Sequence, residues 1–423
     1  MVTVSPPPQP STDRLALLYR LSQTFNSSLD LDEVLNKVMD EVIAATRAER
    51  GFVMLSDANQ QLTFHVARGL DQQTIEDPRF QVSRSVVEKV ARSGQAILTS
   101  DAQTDNRFSM RESVVILGLR SILCVPLKSK EAVIGTIYVD NRLQAGIFTQ
   151  ADLELLTSIA ASASIAIENA RLYQVAVEKG RMERELQMAR RVQTNLLPSQ
   201  VPQVPRWEFA SRWIPAREVA GDFFDFIDQQ NGGMGIVIAD VTDKGMPAAL
   251  FMAATRSIVR ASVFGTRSPA EAISQANRVI YADTATNLYL TLFYAHLDLE
   301  SGKFTYVNAG HNPPLHYQVV SPGNLEELTR TGMLLGVEPA VEYQERSIWL
   351  MPGDFVLLYT DGITEAVNAS YEEYGTERLA RLVLANSHAS ASDILDALLG
   401  SVNQFTGDSA PFDDITLILI QRR

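Results

Sequence analysis

The second half of the chain contains four apolar runs that each adjoin an aspartate. Asp240 follows the β-branched run 235–239 directly, and Asp222 stands beside the preceding run. Asp361 ends the run that starts at residue 354, and Asp413 and Asp414 precede the last run, 415–420. Short β-branched runs bounded by turn residues predict strands, whereas the residues from 247 onward favour a helix. The sequence therefore predicts sheets with carboxylates gathered at strand ends.

These carboxylates indicate a metal site. Neither Asp222 nor Asp240 has an obvious Lys or Arg partner beside it in the sequence. Converging carboxylates are costly unless a cation neutralises them, and hard oxygen ligands suit Mg²⁺ or Mn²⁺ rather than zinc. A single Asp in a turn is common for local hydrogen-bonding reasons. Four such positions in one domain are hard to attribute to turns alone.

Five motifs follow one another in this region: Gly-Asp-Phe-Phe-Asp-Phe from residue 221, Ala-Asp-Val-Thr-Asp-Lys-Gly-Met-Pro from 239, Asn-Ala-Gly-His-Asn-Pro-Pro from 308, Thr-Asp-Gly-Ile-Thr-Glu from 360, and Asp-Asp-Ile-Thr from 413. In this order they resemble the SpoIIE/RsbU branch of the metal-dependent (PPM) serine/threonine phosphatases. The resemblance extends from about residue 188 to the C-terminus. It implies an αββα sandwich with two divalent ions, Mn²⁺ or Mg²⁺, at one edge.

The resemblance also implies a ligand set. Asp240 would bridge the two ions, joined by a backbone carbonyl, and one of the two adjacent acids near the C-terminus would bind while the other supports it. Water activated between two metals attacks phosphorus in line, so no protein nucleophile is needed. The implied metal ligands are Asp222, Asp240, Val241, Asp361, Asp413 and Asp414, and the implied catalytic set, acting through metal-bound water, is Asp222, Asp240, Asp361 and Asp413.

Three further residues of these motifs are not expected to bind metal. Thr242 and Asp243 stand where a serine-glycine pair is commoner in the family, and this change beside the ligand loop is expected to tune metal affinity. His311 lies in a family-like motif, and we expect it to order its loop rather than to bind metal.

The bulk composition limits the possible classes of protein. With 423 residues and 46% hydrophobic content, the chain can form two to three domains with real cores. A net charge of −13 argues against a nucleic-acid-binding surface. The single cysteine, Cys124, excludes an internal disulfide. No apolar segment precedes Arg14, so a secretory signal is not expected. The apolar run 158–167 is too short to span a bilayer. These features predict a cytoplasmic protein without a membrane segment.

The N-terminal third has an α+β pattern. Helical periodicity occupies residues 15–25 and resumes after Asp30, a predicted N-cap, and strands are predicted at 51–55, 62–66, 121–127 and 132–139. The motifs at 48–55, 119–127 and 133–141 resemble a GAF domain, a small-molecule-binding or dimerising fold. The residues typical of cyclic-nucleotide-binding members are incomplete, with Asn106-Arg-Phe108 a fragment at best. A sensory pocket for an unknown ligand and a purely dimerising domain both remain open, and Cys124 is predicted to be a core thiol.

A helical connector follows the GAF-like region. A heptad-like series with alternating spacings of three and four indicates a helix that pairs with another, and the spacing fails around residues 173–180. Gly180 costs about 1 kcal/mol inside a helix and is a predicted break. We interpret the connector as part of a homodimer, with a rigid spacer as the alternative. The series comprises Leu153, Leu156, Ala160, Ala163, Ile167 and Ala170.

The predicted organisation is a disordered Pro-rich segment 1–11, a GAF sensor 12–172, a helical connector 173–197 and a PPM-type domain 198–423. Histidine and cysteine spacings give no zinc site, and a P-loop is absent from the sequence. We interpret the chain as a signalling phosphatase acting on phosphoserine or phosphothreonine. By resemblance, its substrate would be an anti-anti-sigma (STAS-domain) protein in sigma factor regulation. The alternative is a catalytically silent scaffold that binds a phosphoprotein.

Overall fold

The computed structural model describes residues 12–57, 59, 61–69, 82–102, 119–229, 232–264, 266, 268–283, 288–407 and 412–423. The predicted segment 1–11 and the fragment at 106–108 lie outside these residues. The chain forms two compact units, residues 1–182 and 183–423. Within the part of the chain so described, no helix is both long and apolar enough to cross a membrane.

The first unit contains one antiparallel five-stranded sheet with helices on both faces. The sheet order is β2-β1-β5-β4-β3. Asp30 caps the second helix, as predicted, by accepting a 2.9 Å hydrogen bond from the Glu33 backbone N–H. The elements are α1 Thr12–Phe25, α2 Leu31–Thr46, β1 Arg50–Ser56, β2 Leu62–Gly69, α3 Arg84–Ser93, β3 Ile97–Thr99, β4 Ser121–Ser129, β5 Ala132–Asn141 and α4 Gln150–Leu196, which extends into the second unit's residue range.

Successive side chains of β1 point to opposite faces of the sheet, so the first unit has a core layer on each face. Val53 and Leu55 pack with α1, α2 and α4, whereas Phe52 and Met54 pack with α3. Cys124 is fully buried in the same layer as Phe52, and burial raises the pKa of its thiol. The thiol therefore belongs to the core.

The heptad-like series of α4 has a different role from the one predicted. Leu156, Ala160, Ala163, Ile167 and Ala170 are buried in the core of the first unit. A spacing of three and four marks the apolar face of any amphipathic helix, whether it faces a sheet or a second helix. The helix also continues through Gly180, because one glycine costs only about 1 kcal/mol, less than breaking the hydrogen-bond ladder.

The second unit stacks two antiparallel sheets between helices, so the predicted αββα fold is confirmed. The sheet orders are β13-β10-β9-β8-β7 and β12-β11-β14-β15-β6. The elements are β6 Trp207–Ile214, β7 Phe223–Gln229, β8 Gly233–Val241, α5 Met246–Val263, α6 Pro269–Asp283, β9 Leu290–Asp298, β10 Lys303–Ala309, β11 Leu315–Tyr317, β12 Leu325–Glu327, β13 Arg346–Trp349, β14 Phe355–Tyr359, α7 Asp361–Thr364, α8 Gly375–Ala385, α9 Ala391–Thr406 and β15 Ile415–Arg422.

The core of the second unit lies between the sheets and beneath the helices. Phe209 of β6 and Phe226 of β7 meet edge to face across the two sheets, with centroids 5.7 Å apart. Helices α5 and α6 cover the outer face of the sheet that contains β8. Helices α8 and α9 cover the outer face of the sheet that contains β14 and β15. These layers fix the positions of the strand ends.

The buried face of α4 yields a stability prediction. Ile167→Ala should lower the free energy of unfolding of the first unit by about 2–5 kcal/mol, because it removes buried methyl groups and leaves a cavity. Val177→Ala is the control on the same helix, since Val177 is 48% exposed and Ile167 is 0% exposed. Amide hydrogen exchange of peptides from β4 and β5 measures the difference. Equal protection in the two variants would contradict the core assignment.

Candidate metal centre

Both sheets of the second unit contribute acids to one edge of the sandwich. Asp222 directly precedes β7 and Asp240 lies near the end of β8; these strands pair antiparallel, with Phe223 opposite Ala239. In the other sheet, Asp361 follows the end of β14 and Asp414 precedes β15, and Tyr359 pairs with Leu417. The predicted acids are therefore brought together from strands far apart in the sequence.

Asp222 is buried, with 1% of its surface exposed. The hydroxyls of Thr360 and Thr416 both donate to its Oδ2, at 2.8 and 2.6 Å. The indole N–H of Trp213 donates to the Asp222 backbone carbonyl at 3.2 Å, which ties β6 to the start of β7. Burial raises the pKa of Asp222 well above its ordinary value, and Asp240 and Asp414 raise it further.

Asp240 and Asp361 are half-buried and repel other acids. Burial, reinforced by Asp361 and Asp413, raises the pKa of Asp240 to about 7. Burial, reinforced by Glu365 and Asp413, raises the pKa of Asp361 to about 6. The mutual effects show that these acids form one electrostatic cluster. Glu365 adds a charge to it that the sequence analysis did not single out, although it belongs to the motif from residue 360.

Asp413 and Asp414 make different contacts. Asp414 accepts backbone N–H groups of Ala216 and Gly221, each at 2.8 Å, one on each carboxylate oxygen. Asp413 accepts the Asp414 backbone N–H on Oδ1 at 2.9 Å, and its Oδ2 lies 2.9 Å from the ammonium of Lys244. Asp414 thus holds the backbone that leads into Asp222, whereas Asp413 faces a cation.

Lys244 is a member of the site that the sequence analysis missed. Its ammonium also donates to the Phe412 carbonyl at 2.8 Å and lies 4.2 Å from the centre of the Phe412 ring. The available signal was its position in the motif that contains Asp240. Its acidic partner lies 169 positions later in the chain (413 minus 244), so the pairing could not be read from local sequence.

Thr242 and Asp243 shape the loop after β8. The Thr242 backbone N–H and hydroxyl donate to the Tyr289 carbonyl at 3.0 and 2.9 Å, and the Tyr289 N–H donates to the Thr242 hydroxyl at 3.2 Å. Asp243 has a φ of 75°, a left-handed conformation that favours glycine. Its carboxylate accepts the Lys244 N–H at 2.8 Å, a local bond that Asp can make in this conformation.

The end of α4 contacts the segment that leads into Asp222. The buried side-chain amide of Gln193 donates to the Ala220 carbonyl at 2.7 Å and accepts the Ala220 N–H at 3.0 Å. Gln193 was not predicted as a site residue. Together with Asp414 on Gly221, it fixes the backbone immediately before Asp222.

His311 lies in a buried, hydrogen-bonded environment. It is fully buried; its Nδ1 lies 2.8 Å from the Thr291 hydroxyl, and its backbone N–H donates to Asn308 Oδ1 at 2.9 Å. Burial lowers its pKa to about 3, so the imidazole is neutral at physiological pH. These contacts agree with a role in ordering the loop after β10.

The residues fit a divalent cation with hard oxygen ligands. Among the described residues, no three His, Cys, Asp or Glu side chains converge closely enough to enclose an ion without other ligands. Mg²⁺ keeps several waters and takes one or two carboxylates from a protein, so such a centre needs few side chains per ion. The donors are all oxygens, and a cation would offset the burial and the repulsion that together raise the pKa of Asp240. Val241, whose carbonyl was implied as a ligand, ends β8 beside Gly221.

Gly362 is the tightest backbone contact of the cluster. A Cβ at this position would lie 2.0 Å from the Asp414 carbonyl oxygen. Gly362→Ala should force α7 away from the start of β15 and lower the free energy of unfolding by about 1–3 kcal/mol. All three tryptophans, Trp207, Trp213 and Trp349, lie in the second unit, so urea unfolding followed by tryptophan fluorescence measures this effect.

Gly400→Ala is the control for this measurement. Gly400 lies in α9, where an added Cβ meets nothing within 4 Å. Alanine should leave stability unchanged or raise it by about 0.5–1 kcal/mol, because glycine is a poor helix former. Equal stability of the two variants would contradict the close approach at Gly362.

Both halves of the chain are similar to known proteins. Residues 230–423 match the family model of stage II sporulation protein E (SpoIIE), and residues 28–168 match a GAF domain model. Among curated proteins, Protein IcfG of Synechocystis sp. is 32% identical over 273 residues, which cover 58% of this chain and 43% of IcfG. The phosphoserine phosphatase RsbU of Bacillus subtilis is 29% identical over 241 residues, covering 56% of this chain and 70% of RsbU.

A solved structure supports the fold of the second unit. The SiaA-PP2C domain of Pseudomonas aeruginosa superposes with a TM-score of 0.53 at 21% identity, covering 59% of this chain and 99% of that domain. This similarity concerns the fold alone. The chain therefore carries a region that matches a GAF domain, followed by a region that matches the SpoIIE family model and has the PP2C fold.

Proposed function

We propose that this protein hydrolyses phosphoserine or phosphothreonine on a protein partner. The observation that carries the proposal is the cluster of five carboxylates at one edge of the sandwich, in which burial and mutual repulsion raise the pKa of Asp240 to about 7. Such a cluster is costly to the fold and is expected where a cation is needed for function. The phosphoserine specificity is suggested by the name of the relative RsbU.

The proposed ligands of Mn²⁺ or Mg²⁺ are Asp222, Asp240, the Val241 carbonyl, Asp361 and Asp413. Divalent ions bound there would polarise phosphoryl oxygens and lower the pKa of water. The remaining roles belong to the chain itself. Thr360 and Thr416 orient the Asp222 carboxylate, and Asp414 holds the backbone at Ala216 and Gly221 rather than binding an ion.

The partner is proposed from resemblance. The resemblance of the sequence motifs to the SpoIIE/RsbU branch implies an anti-anti-sigma (STAS-domain) protein as the phosphorylated substrate. The GAF domain would regulate this activity, through an unknown small molecule or through dimerisation alone. The competing scaffold reading gains no support from the site, because a protein that only binds a phosphoprotein has no need of all these acids.

Hydrolysis of an aryl phosphate tests the proposal. The full chain should turn over the substrate only with Mn²⁺ or Mg²⁺. Asp240→Asn should reduce the rate by more than about 100-fold, since even residues that only orient a metal ligand contribute about 10- to 100-fold. The rate of phosphate release at saturating metal is the measurement.

Asp228→Asn is the matched control, because Asp228 is exposed on the neighbouring strand β7. It should retain the wild-type rate. If the folded wild-type chain binds Mn²⁺ but hydrolyses neither aryl phosphate nor phosphopeptides, the scaffold reading takes the place of the enzyme.

The proposed homodimer has a candidate interface on α4. Ile165, Leu172, Val175 and Met182 are exposed on this helix and occur at spacings of seven, three and seven residues. This spacing suits the seam of a parallel coiled coil with a second copy of the chain. It differs from the predicted heptad series, which packs into the first unit.

Leu172→Glu should convert the dimer to a monomer, because a charge in the seam would be buried without a partner. Leu172 is 60% exposed, and the control is Leu143→Glu, at a position that is 83% exposed outside the helix. Sedimentation equilibrium gives the mass. A monomeric wild type, or a Leu172→Glu variant that remains dimeric, would contradict this interface.

A further inference from the structure

Lys244 belongs to the loop after β8 and contacts the residues just before β15. Its ammonium contacts Asp413 Oδ2 at 2.9 Å and the Phe412 carbonyl at 2.8 Å. The Phe412 ring covers it at 4.2 Å, and its side chain is 30% exposed. Three contacts with residues 412 and 413 therefore hold the ammonium of Lys244, and one side of it remains exposed to solvent.

This ammonium reaches the carboxylate cluster. Among the ion pairs that the described residues form, the Lys244–Asp413 pair is the one that includes a proposed metal ligand. The field of Lys244 also extends to Asp361, whose pKa burial raises and Lys244 lowers. Two of the proposed ligands thus experience this positive charge.

We propose that Lys244 is an internal competitor of the divalent cation, which pairs with Asp413 and so sets the affinity of the centre for metal. The inference rests on the proposed function, because it assumes that Asp413 is a ligand. An ion that binds through Asp413 Oδ2 must displace the ammonium and then tolerate its charge nearby. Both effects weaken metal binding.

The direction of the change in metal affinity distinguishes the loss of the Lys244 charge from structural damage to the loop. Removing a positive charge from beside a cation site should tighten binding, whereas distortion of the ligand loop should weaken it. Lys244→Met keeps an unbranched apolar side chain but removes the ammonium and its charge. This variant should bind Mn²⁺ roughly two- to fivefold more tightly, the range expected for one partly exposed ion pair.

Equilibrium binding of Mn²⁺ to the full chain, with free Mn²⁺ quantified by electron paramagnetic resonance, gives this affinity without any turnover. Lys244→Arg retains the charge and should bind Mn²⁺ much as the wild type does. Lys303→Met removes the same charge from an exposed position at the start of β10 and should have no effect. Unchanged or weaker binding by Lys244→Met would overturn the proposal.

A double-mutant cycle with Asp413→Asn tests the pairing itself. Once Asp413 has lost its charge, the gain from Lys244→Met should shrink, because the ion pair no longer exists. An undiminished gain would assign the effect to a different carboxylate. Failure of the wild type to bind Mn²⁺ would overturn the proposed function as well, whereas wild-type binding that Lys244→Met leaves unaltered would overturn only the role of Lys244.

Discussion

Repulsion among carboxylates at one edge of the sandwich is the constraint on which the second unit depends. Acids in water relieve such repulsion by moving apart, but here backbone contacts prevent it. Asp414 is fixed by the N–H groups of Ala216 and Gly221, and Asp222 by two threonine hydroxyls. The acids therefore stay close together, and burial, reinforced by the charges of Asp361 and Asp413, raises the pKa of Asp240 to about 7. Metal ions bound there, as proposed, would meet ligands that the fold has already brought together.

The site also explains why the domain needs two sheets. Asp222 and Asp240 belong to one sheet, and Asp361 and Asp413 belong to the other, so neither sheet alone assembles the cluster. Contacts across the sandwich keep the two edges in register: Trp213 of β6 reaches the Asp222 carbonyl, and Thr416 of β15 reaches its carboxylate. Core packing between the sheets, including Phe209 on Phe226, thus stabilises the fold and positions the ligands at once.

Sequence reasoning predicted the features that depend on local pattern. Short β-branched runs such as 235–239 predicted β8, and Asp30 predicted a helix start, because strands and caps have their signals in adjacent residues. The three-residue strands β3, β11 and β12 were not predicted, since so few residues show no period. The spacing on α4 predicted a helix but not the partner of its apolar face, because a sheet and a second helix demand the same spacing. Gln193 on Ala220 and Lys244 on Asp413 required the tertiary structure.

The loop after β8 contains Thr242 and Asp243, where a serine-glycine pair is commoner in the family that the sequence resembles. The contacts of these two residues show how they change the loop. Thr242 adds hydroxyl hydrogen bonds to Tyr289, which fasten the loop to β9. Asp243 accepts a left-handed backbone that glycine would adopt at lower cost, and the carboxylate offsets part of that cost by accepting the Lys244 N–H. A glycine there would leave the backbone before Lys244 freer. Thr242 and Asp243 therefore restrict the backbone before Lys244, and under the proposal made for Lys244 this loop would set the metal affinity while the proposed ligands stay unchanged.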